Sequence, residues 1–175
     1  MKHDENLGKC CVLFGYSVYF HCQSSIMPVM FESAIMSISF IVKPDAGYFI
    51  SKYTGKITDR VLLSSYRRFH EGNDWIPGLH EFADLSEADM TAVTQNGLRE
   101  LSAYIESVYR KYGQSFIKTA AYAPADLPFG IARVYEALSS DSPEQLKAFR
   151  DVQDAMTWLS NKEVISGHPE SSVNH

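Results

Sequence analysis

A hydroxyl group within a run of carboxylates is the first feature of this sequence that suggests chemistry. Ser86 lies two residues after Asp84 in the stretch HEFADLSEADMT, residues 80–91. A phosphate on such a serine would add about −1.5 to −2 charges and could switch the binding of a partner. Alternatively, the Ser86 hydroxyl caps a short helical turn, with Asp89 completing an imperfect capping box. We favour the cap, because the neighbouring acidic side chains would repel an added phosphate.

The same stretch contains an acidic cluster that could act in catalysis or bind a metal. Its members are Glu81, Asp84, Glu87 and Asp89. Paired carboxylates perform acid–base chemistry, and carboxylate oxygens bind divalent cations. No basic partner or phosphate-binding loop accompanies the cluster, so we interpret it as a solvated acidic loop. The sequence also lacks the motifs of serine hydrolases, zinc proteases, P-loop enzymes and dinucleotide-binding enzymes. We therefore expect no catalytic residues, no bound metal and no cofactor.

A further candidate site lies in APADLPFGIARVYE, residues 123–136, which follows a predicted strand. Open α/β sheets bind ligands near the carboxyl ends of their strands, where this segment is expected. Phe129 and Gly130 would allow another surface to approach closely, and Arg133 could pair with a carboxylate or a phosphate. The apolar positions could also pack a helix against the sheet, and we favour packing for them. Asp84, Phe129, Gly130 and Arg133 are therefore the candidate residues of a ligand or partner surface.

Length and composition limit the class of protein. The chain has 175 residues, 45% of them apolar and 21% charged, which is typical of one folded domain. Its net charge of −5 argues against a nucleic-acid-binding surface, since such surfaces need clustered lysines and arginines. All three cysteines lie within the first 22 residues, so we expect no disulfide framework and a cytoplasmic location.

The N-terminal region differs in character from the rest of the sequence. Residues 10–20 are apolar and as long as a signal-peptide core, but their flank mixes acids and bases, and no small-residue cleavage site follows. They are also fewer than the roughly 20 apolar residues that span a bilayer, so we expect no integral membrane segment. We interpret residues 1–35 as an extension that is disordered or precedes the true start codon. Residues 36–160 form the predicted domain, and residues 161–175 a flexible tail.

Alternating and periodic apolar patterns predict the elements of the domain. Residues 37–43 and 48–57 alternate like strands on either side of a turn signal, Pro44 to Gly47, and predict an antiparallel hairpin. Helices are predicted at residues 59–70, 94–112, 129–138 and 152–161, a short helical turn at Ser142, and further strands at 79–85, 115–123 and 146–150. This order predicts an α/β fold with a small, mostly parallel mixed sheet, an N-terminal hairpin and about four helices.

In their order, these landmarks resemble the SpoIIAA-like family, small bacterial proteins with a STAS-type fold. That family is similar in fold to the anti-sigma-factor antagonists and is often described together with Sec14-type lipid carriers. The resemblance rests on YFISKYTGKIT at residues 48–58, HEFADLSEADMT at 80–91, IKTAAYAPADLPFGIARVYEAL at 117–138 and KAFRDVQDAMTWL at 147–159. It covers residues 37–159 and implies a fold more firmly than a function.

The resemblance also makes Ser86 a candidate phosphosite. In the anti-sigma-factor antagonists, a kinase phosphorylates a serine that follows an aspartate at a strand end. Here Leu85 separates Asp84 from Ser86, and Glu87 replaces a small residue, so the stretch departs from that pattern.

We therefore expect a non-enzymatic STAS-like module that binds or regulates a protein partner through a helix face and adjacent loops, with homo-oligomerisation left open. The first alternative is a carrier of a lipid or another apolar small molecule, since ten tyrosines and ten phenylalanines could line a pocket. The same aromatic side chains could instead fill a small core. The second alternative is an enzyme that uses the carboxylates near Asp84.

Overall fold

A computed structural model describes residues 37–161, which contain five β-strands and four α-helices. The predicted extension, residues 1–35, and the predicted tail beyond residue 161 lie outside the described residues. The strands are β1 (Ser37–Lys43), β2 (Tyr48–Thr58), β3 (His80–Ala92), β4 (Ile117–Tyr122) and β5 (Glu144–Phe149). The helices are α1 (Asp59–Glu71), α2 (Gln95–Lys111), α3 (Asp126–Leu138) and α4 (Val152–Ser160). None of the described helices is long and apolar enough to cross a membrane.

The five strands form one sheet in the order of the chain, β1-β2-β3-β4-β5. β1 and β2 pair antiparallel across a short 3₁₀ turn, Pro44–Ala46, that ends at Gly47 with φ of 76°. All other neighbouring strands pair parallel, and a helix connects each parallel pair, as parallel strands require. The predicted α/β class, mostly parallel mixed sheet and N-terminal hairpin are therefore confirmed.

Successive side chains of a strand point to opposite faces of the sheet, and here the two faces are covered differently. The inner face, as we call it, packs against α1, α2 and α3 in the larger core, to which Phe49, Leu62 and Leu101 belong. The outer face packs against α4 in a smaller core, to which Phe82 and Leu159 belong. The inner face therefore carries the larger of the two cores.

The pairing of β2 with β3 contains two β-bulges. The register advances by two residues along β2 and by three along β3 just after Asp84, and it does so again just after Asp89. At both places, the aspartate Oδ1 accepts hydrogen bonds from the backbone N–H and the hydroxyl two residues later. The partners are Ser86 and Thr91, at 2.6–3.0 Å. Each Asp-x-Ser/Thr sequence thus stabilises a bulge through local hydrogen bonds.

The prediction that Ser86 caps a short helical turn is wrong. β3 continues to Ala92, and the Ser86 hydroxyl donates to Asp84 inside the strand at 2.6 Å. The first bulge also has a consequence for the core, because Leu85 and Met90 both face inward. An odd separation of five residues would place them on opposite faces of a regular strand.

The helical turn predicted at Ser142 is also wrong. Ser142 and Pro143 have the residue types of a helix start, but the backbone N–H of Glu144 donates to Ser142 Oγ at 3.0 Å. β5 begins at Glu144, which pairs with Ile117 of β4. Pairing with a neighbouring strand therefore overrides the local helix signal, and it places Glu144 in the sheet.

Gly97 provides the space in which α1 and α2 contact each other. Thr94 caps α2 by accepting a hydrogen bond from the Gly97 N–H at 3.1 Å. Asp59 of α1 in turn accepts hydrogen bonds from the Thr94 N–H at 2.8 Å and from its hydroxyl at 2.6 Å. A Cβ atom on Gly97 would overlap with the Asp59 side chain, so this contact requires glycine.

Gly97→Ala is expected to lower the free energy of unfolding by roughly 2 kcal/mol, because the added methyl group displaces Asp59 and breaks its hydrogen bonds to Thr94. In an Asp59→Gly background, which also removes the Cβ atom that the new methyl group would meet at 2.7 Å, the same change should be neutral or stabilise by about 0.5–1 kcal/mol, since alanine is the better helix former. Urea unfolding of the four chains measures this coupling. Additive effects of the two substitutions would contradict the contact described here.

Candidate functional site

A small cavity lies in the core between the inner face of the sheet and α1, α2 and α3. Its volume is about 50 Å³, which is space for a few water molecules or for a ligand of a few non-hydrogen atoms. Its walls are mostly apolar and include Leu62, Leu85, Met90, Leu98, Leu101, Ile105, Ala121 and Ile131. Two glutamates and several hydroxyl groups interrupt this apolar lining, and they give the cavity a polar end.

Glu81 is the first buried carboxyl group of the cavity, and β3 positions it. Its side chain is 2% exposed and accepts hydrogen bonds from the hydroxyls of Ser51 in β2 and Tyr66 in α1. The Tyr66 hydroxyl lies 2.7 Å from that of Tyr53, which extends the network. Burial raises the pKa of Glu81 to about 7, although the two hydrogen bonds oppose this rise and the charge of Glu144 adds to it.

Glu144 is the second buried carboxyl group, and it comes from β5. It is 5% exposed and accepts hydrogen bonds from Thr119 Oγ1 at 2.7 Å and from the Tyr135 hydroxyl at 3.2 Å. Burial raises the pKa of Glu144 against the opposing effect of these hydrogen bonds. Burial thus favours the protonated form of both carboxyl groups, and near neutral pH Glu81 is protonated in a large part of the molecules, where it can donate a hydrogen bond.

A larger groove lies outside the cavity, beside the edge strand β5. Its volume is about 610 Å³, and its lining includes Phe116, Ser140, Lys147 and Trp158. Glu144 and Leu146 line both the groove and the cavity, so these two residues lie between the two spaces. Of the described residues that line the cavity, only Ile131 and Leu146 are partly exposed. The cavity therefore comes closest to solvent between α3 and β5.

The residues of the predicted ligand or partner surface do not form one site. Asp84 follows Ala83, which lines the cavity, so its side chain points to the outer face of the sheet. Phe129, Gly130 and Arg133 instead belong to α3, which packs on the inner face. The structure thus brings the three α3 residues together and separates them from Asp84.

Each of the α3 residues has a distinct environment. Phe129 is partly buried, and the Arg150 guanidinium lies 4.3 Å from the centre of its ring. Arg133 is exposed and pairs with Glu136 at 2.7 Å. Gly130 is exposed, and a Cβ atom there would meet nothing within 4 Å. Another surface therefore has room to approach Gly130 closely.

The structure disperses the acidic cluster that the sequence suggested. Glu81 is buried on the inner face, Asp84 and Asp89 accept the hydrogen bonds of the two bulges, and Glu87 pairs with Lys52 at 2.7 Å on the surface. Within residues 37–161, no group of three or more histidine, cysteine, aspartate or glutamate side chains could hold a metal ion. The four carboxylates thus have separate roles.

Sequence reasoning did not identify Glu144 or the hydroxyl groups around the cavity. A detectable signal exists, because Glu81 alternates with Ala83 and Leu85 on a face that is otherwise apolar. Glu144 alternates in the same way with Leu146, but its apparent position in a helical turn concealed this pattern. A carboxylate at an inward position of a strand is thus the feature that would have indicated the site.

Comparison with known proteins gives few relatives. No protein-family model matches the chain, and no curated protein is significantly similar to it in sequence. The chain is similar to a solved structure from Shewanella loihica, described as an uncharacterized protein from the DUF3478 family with a SpoIIAA-like fold. The two are 21% identical, the match covers 70% of this chain and 92% of that chain, and the TM-score is 0.43. The fold described for that protein is the one that the sequence landmarks resemble.

Proposed function

We propose that the domain is a non-enzymatic binding module that holds a small amphipathic molecule in its internal cavity. The observation that supports this proposal is the pairing of apolar walls with two buried carboxyl groups, Glu81 and Glu144. Small-molecule sites usually combine a mostly apolar lining with a few polar groups that orient the ligand. A core selected for stability alone has little use for buried carboxyl groups, because burying them costs free energy.

The size of the cavity favours a small ligand over a lipid. Its volume of about 50 Å³ compares with roughly 300–1,000 Å³ for sites that bind drug-sized molecules. An acyl chain would have to displace core side chains to enter. The carrier function considered from the sequence therefore narrows to small molecules with one polar end.

The enzyme alternative has less support. It relied on carboxylates near Asp84 that would act together, whereas Asp84, Glu87 and Asp89 each have a separate surface partner. Glu81 and Glu144 contact hydroxyl groups that satisfy them as hydrogen-bond acceptors. This arrangement suits the binding of a ligand without chemical conversion.

Filling the cavity tests the proposed function. Ala121 lines the cavity from β4, and Ala121→Val adds two carbon atoms there in a residue type that strands favour. In the wild-type chain, we expect n-propanol to shift the NMR signal of the Met90 methyl group, which also lines the cavity. The signal of Met156, which packs on the outer face with α4, is the internal control.

In Ala121→Val, the Met90 shift should disappear while the thermal unfolding temperature stays close to that of the wild type. Equal shifts at Met90 and Met156 would contradict binding in the cavity. A Met90 shift that persists in the filled variant would contradict it as well.

A protein partner is the second candidate, and an exposed strip on α3 supports it. Leu127 and Val134 are 48% and 40% exposed, and Gly130 lies between them at helical spacing. Leu127→Glu with Val134→Glu should abolish cross-linking to a host partner, whereas Ile76→Glu, at another exposed apolar residue, should not. A partner that cross-links equally to both variants does not use this strip.

A further inference from the structure

We propose that the ligand of the cavity is a small protonated amine, which enters from the groove beside β5 and is held between Glu81 and Glu144. This inference rests on the proposed function and names the chemical class of its ligand. It follows from the residue types around the cavity, from their burial and from the wall that the cavity shares with the groove.

The polar groups of the cavity lack a basic partner. Glu81 and Glu144 are 2% and 5% exposed, and their hydrogen-bond donors are serine, threonine and tyrosine hydroxyls. The described residues that line the cavity include no lysine, arginine or histidine. A buried carboxylate without a counter-charge is costly, so burial favours the protonated form of each group while no cation is present. An ammonium group supplies that counter-charge, and an alkyl portion fits the apolar walls.

The other titratable groups around the two carboxyls add no positive charge. They are Tyr53 of β2, Tyr66 of α1, Tyr109 of α2 and Tyr135 of α3, and burial raises the pKa of each, with a further contribution from nearby carboxylates. All four are therefore neutral near pH 7. The Tyr109 hydroxyl is buried, and no described residue forms a hydrogen bond with it. Tyr109 is not among the described residues that line the cavity, but it lies close enough to Glu144 and Glu81 for their charges to add to the rise of its pKa.

The position of Glu144 indicates the route of entry. Glu144 and Leu146 separate the cavity from the groove, and Leu146 is only partly buried. Rotation of the Leu146 side chain would connect the two spaces, with the Glu144 carboxyl at the passage. A cation that enters from the groove would therefore meet Glu144 before it reaches Glu81.

Binding of the cation is coupled to loss of a proton. The O–H bond of one carboxylic acid breaks, its proton passes to solvent, and the resulting carboxylate pairs with the ammonium group. Charge balances, because one cation enters as one proton leaves, and no oxidation or reduction takes place. Since Glu81 has a pKa of about 7, the number of protons released should be close to one at about pH 6 and smaller at about pH 8.

Ethylammonium chloride and n-propanol are suitable probes, because they are similar in size and differ in charge. With the full chain at about pH 6, we expect ethylammonium to shift the Met90 methyl signal, to leave Met156 unchanged and to bind roughly ten- to a hundredfold more tightly than n-propanol. Calorimetry in two buffers of different ionisation enthalpy should show proton release with ethylammonium and none with n-propanol.

Glu81→Gln and Glu144→Gln each remove one acid while keeping the shape of the side chain. Each should weaken ethylammonium binding about tenfold or more and leave n-propanol binding nearly unchanged. Glu87→Gln is the matched control, because Glu87 pairs with Lys52 on the surface, and it should bind both probes like the wild type. The two glutamine variants test the proposal independently, so one that fails to fold leaves the other informative.

The outcomes distinguish the inference of an amine ligand from the proposed function of the cavity as a binding site. If n-propanol shifts the Met90 methyl signal and ethylammonium does not, the inference that the ligand is an amine is wrong, and the proposed function stands. If ethylammonium binds both glutamine variants as tightly as the wild type, the inference that the two glutamates hold an amine is also wrong. If neither probe shifts the Met90 methyl signal, both the inference of an amine ligand and the proposed function are wrong.

Discussion

The stability of Glu81→Gln is expected to fall much less than that of the wild-type chain as the pH rises from about 5 to about 8. Burial raises the pKa of Glu81 to about 7 in the folded chain, and the charge of Glu144 contributes to the rise. The ordinary pKa of an exposed glutamate is 4.5. Glutamine has nearly the same shape, can accept the same hydrogen bonds and does not ionise.

The sign of the effect follows from proton binding. Between pH 4.5 and about 7, the folded chain retains the Glu81 proton while the unfolded chain has lost it. Raising the pH through this range therefore favours unfolding, and the stabilisation that is complete at low pH is lost above about 7. The difference between the two pKa values corresponds to roughly 3 kcal/mol. Glu144, whose pKa burial also raises, leaves a pH dependence of the same sign in the variant.

Urea unfolding at about pH 5 and about pH 8 measures this effect. Glu81→Gln should be close to the wild type in stability at the lower pH and more stable by roughly 3 kcal/mol at the higher pH. Glu87→Gln, on the surface, should follow the wild type at both values. Parallel pH profiles of Glu81→Gln and the wild type would show that the Glu81 carboxyl is solvated.

His70→Phe is expected to protect the chain against acid by a similar amount. His70 lies in α1 and is 6% exposed among aromatic rings, with Trp75 at 4.8 Å and Tyr104 at 5.7 Å between ring centres. Neither ring nitrogen forms a hydrogen bond with any residue in the range 37–161. Burial therefore lowers the pKa of His70 to about 4, and phenylalanine can take the place of the neutral ring.

The sign is opposite to that of Glu81. As the pH falls from 6.5 towards about 4, the unfolded chain binds a proton at His70 and the folded chain does not, so the wild type loses stability. At about pH 4.5 the variant should be more stable than the wild type by roughly 2–3 kcal/mol. At about pH 7.5 it should be at least as stable, because it removes polar atoms without partners.

Thermal unfolding across this pH range is the measurement for His70. The acid side of the stability profile should flatten in His70→Phe, while the decline towards alkaline pH, which we assign to the buried glutamates, should stay. An unchanged acid side would mean that water or protons reach the His70 ring in the folded chain.

Local signals in the sequence were sufficient to predict much of the fold. The turn from Pro44 to Gly47 and the starts of α1 after Thr58 and of α4 after Asp151 each depend on residues within a few positions of one another. The Thr58 hydroxyl accepts a hydrogen bond from the Val61 N–H at 3.2 Å, as its residue type predicts. Such features need no knowledge of the distant chain, and the alternation of helices and strands then restricts the topology.

The errors in prediction arose where distant segments decide the structure. Ser86 was interpreted as a helix cap, but the pairing of β3 with β2 keeps it in a strand. The cavity was not foreseen, because Glu81 and Glu144 are far apart in sequence and approach only through the intervening strand β4. Thr119 of β4 pairs with Glu81 in the sheet and donates a hydrogen bond to Glu144, a relation that depends on strand register.

The most direct measurement is a pH titration of the glutamate side-chain carboxyl carbons by ¹³C NMR, with signals assigned from Glu81→Gln and Glu144→Gln. We expect the Glu81 carbon to titrate near 7 and the Glu144 carbon above the ordinary range, because both groups are buried beside hydroxyls without a basic partner. If both carbons titrate near 4.3, as solvated glutamates do, the acidic cavity does not exist in solution and the proposed binding site is contradicted.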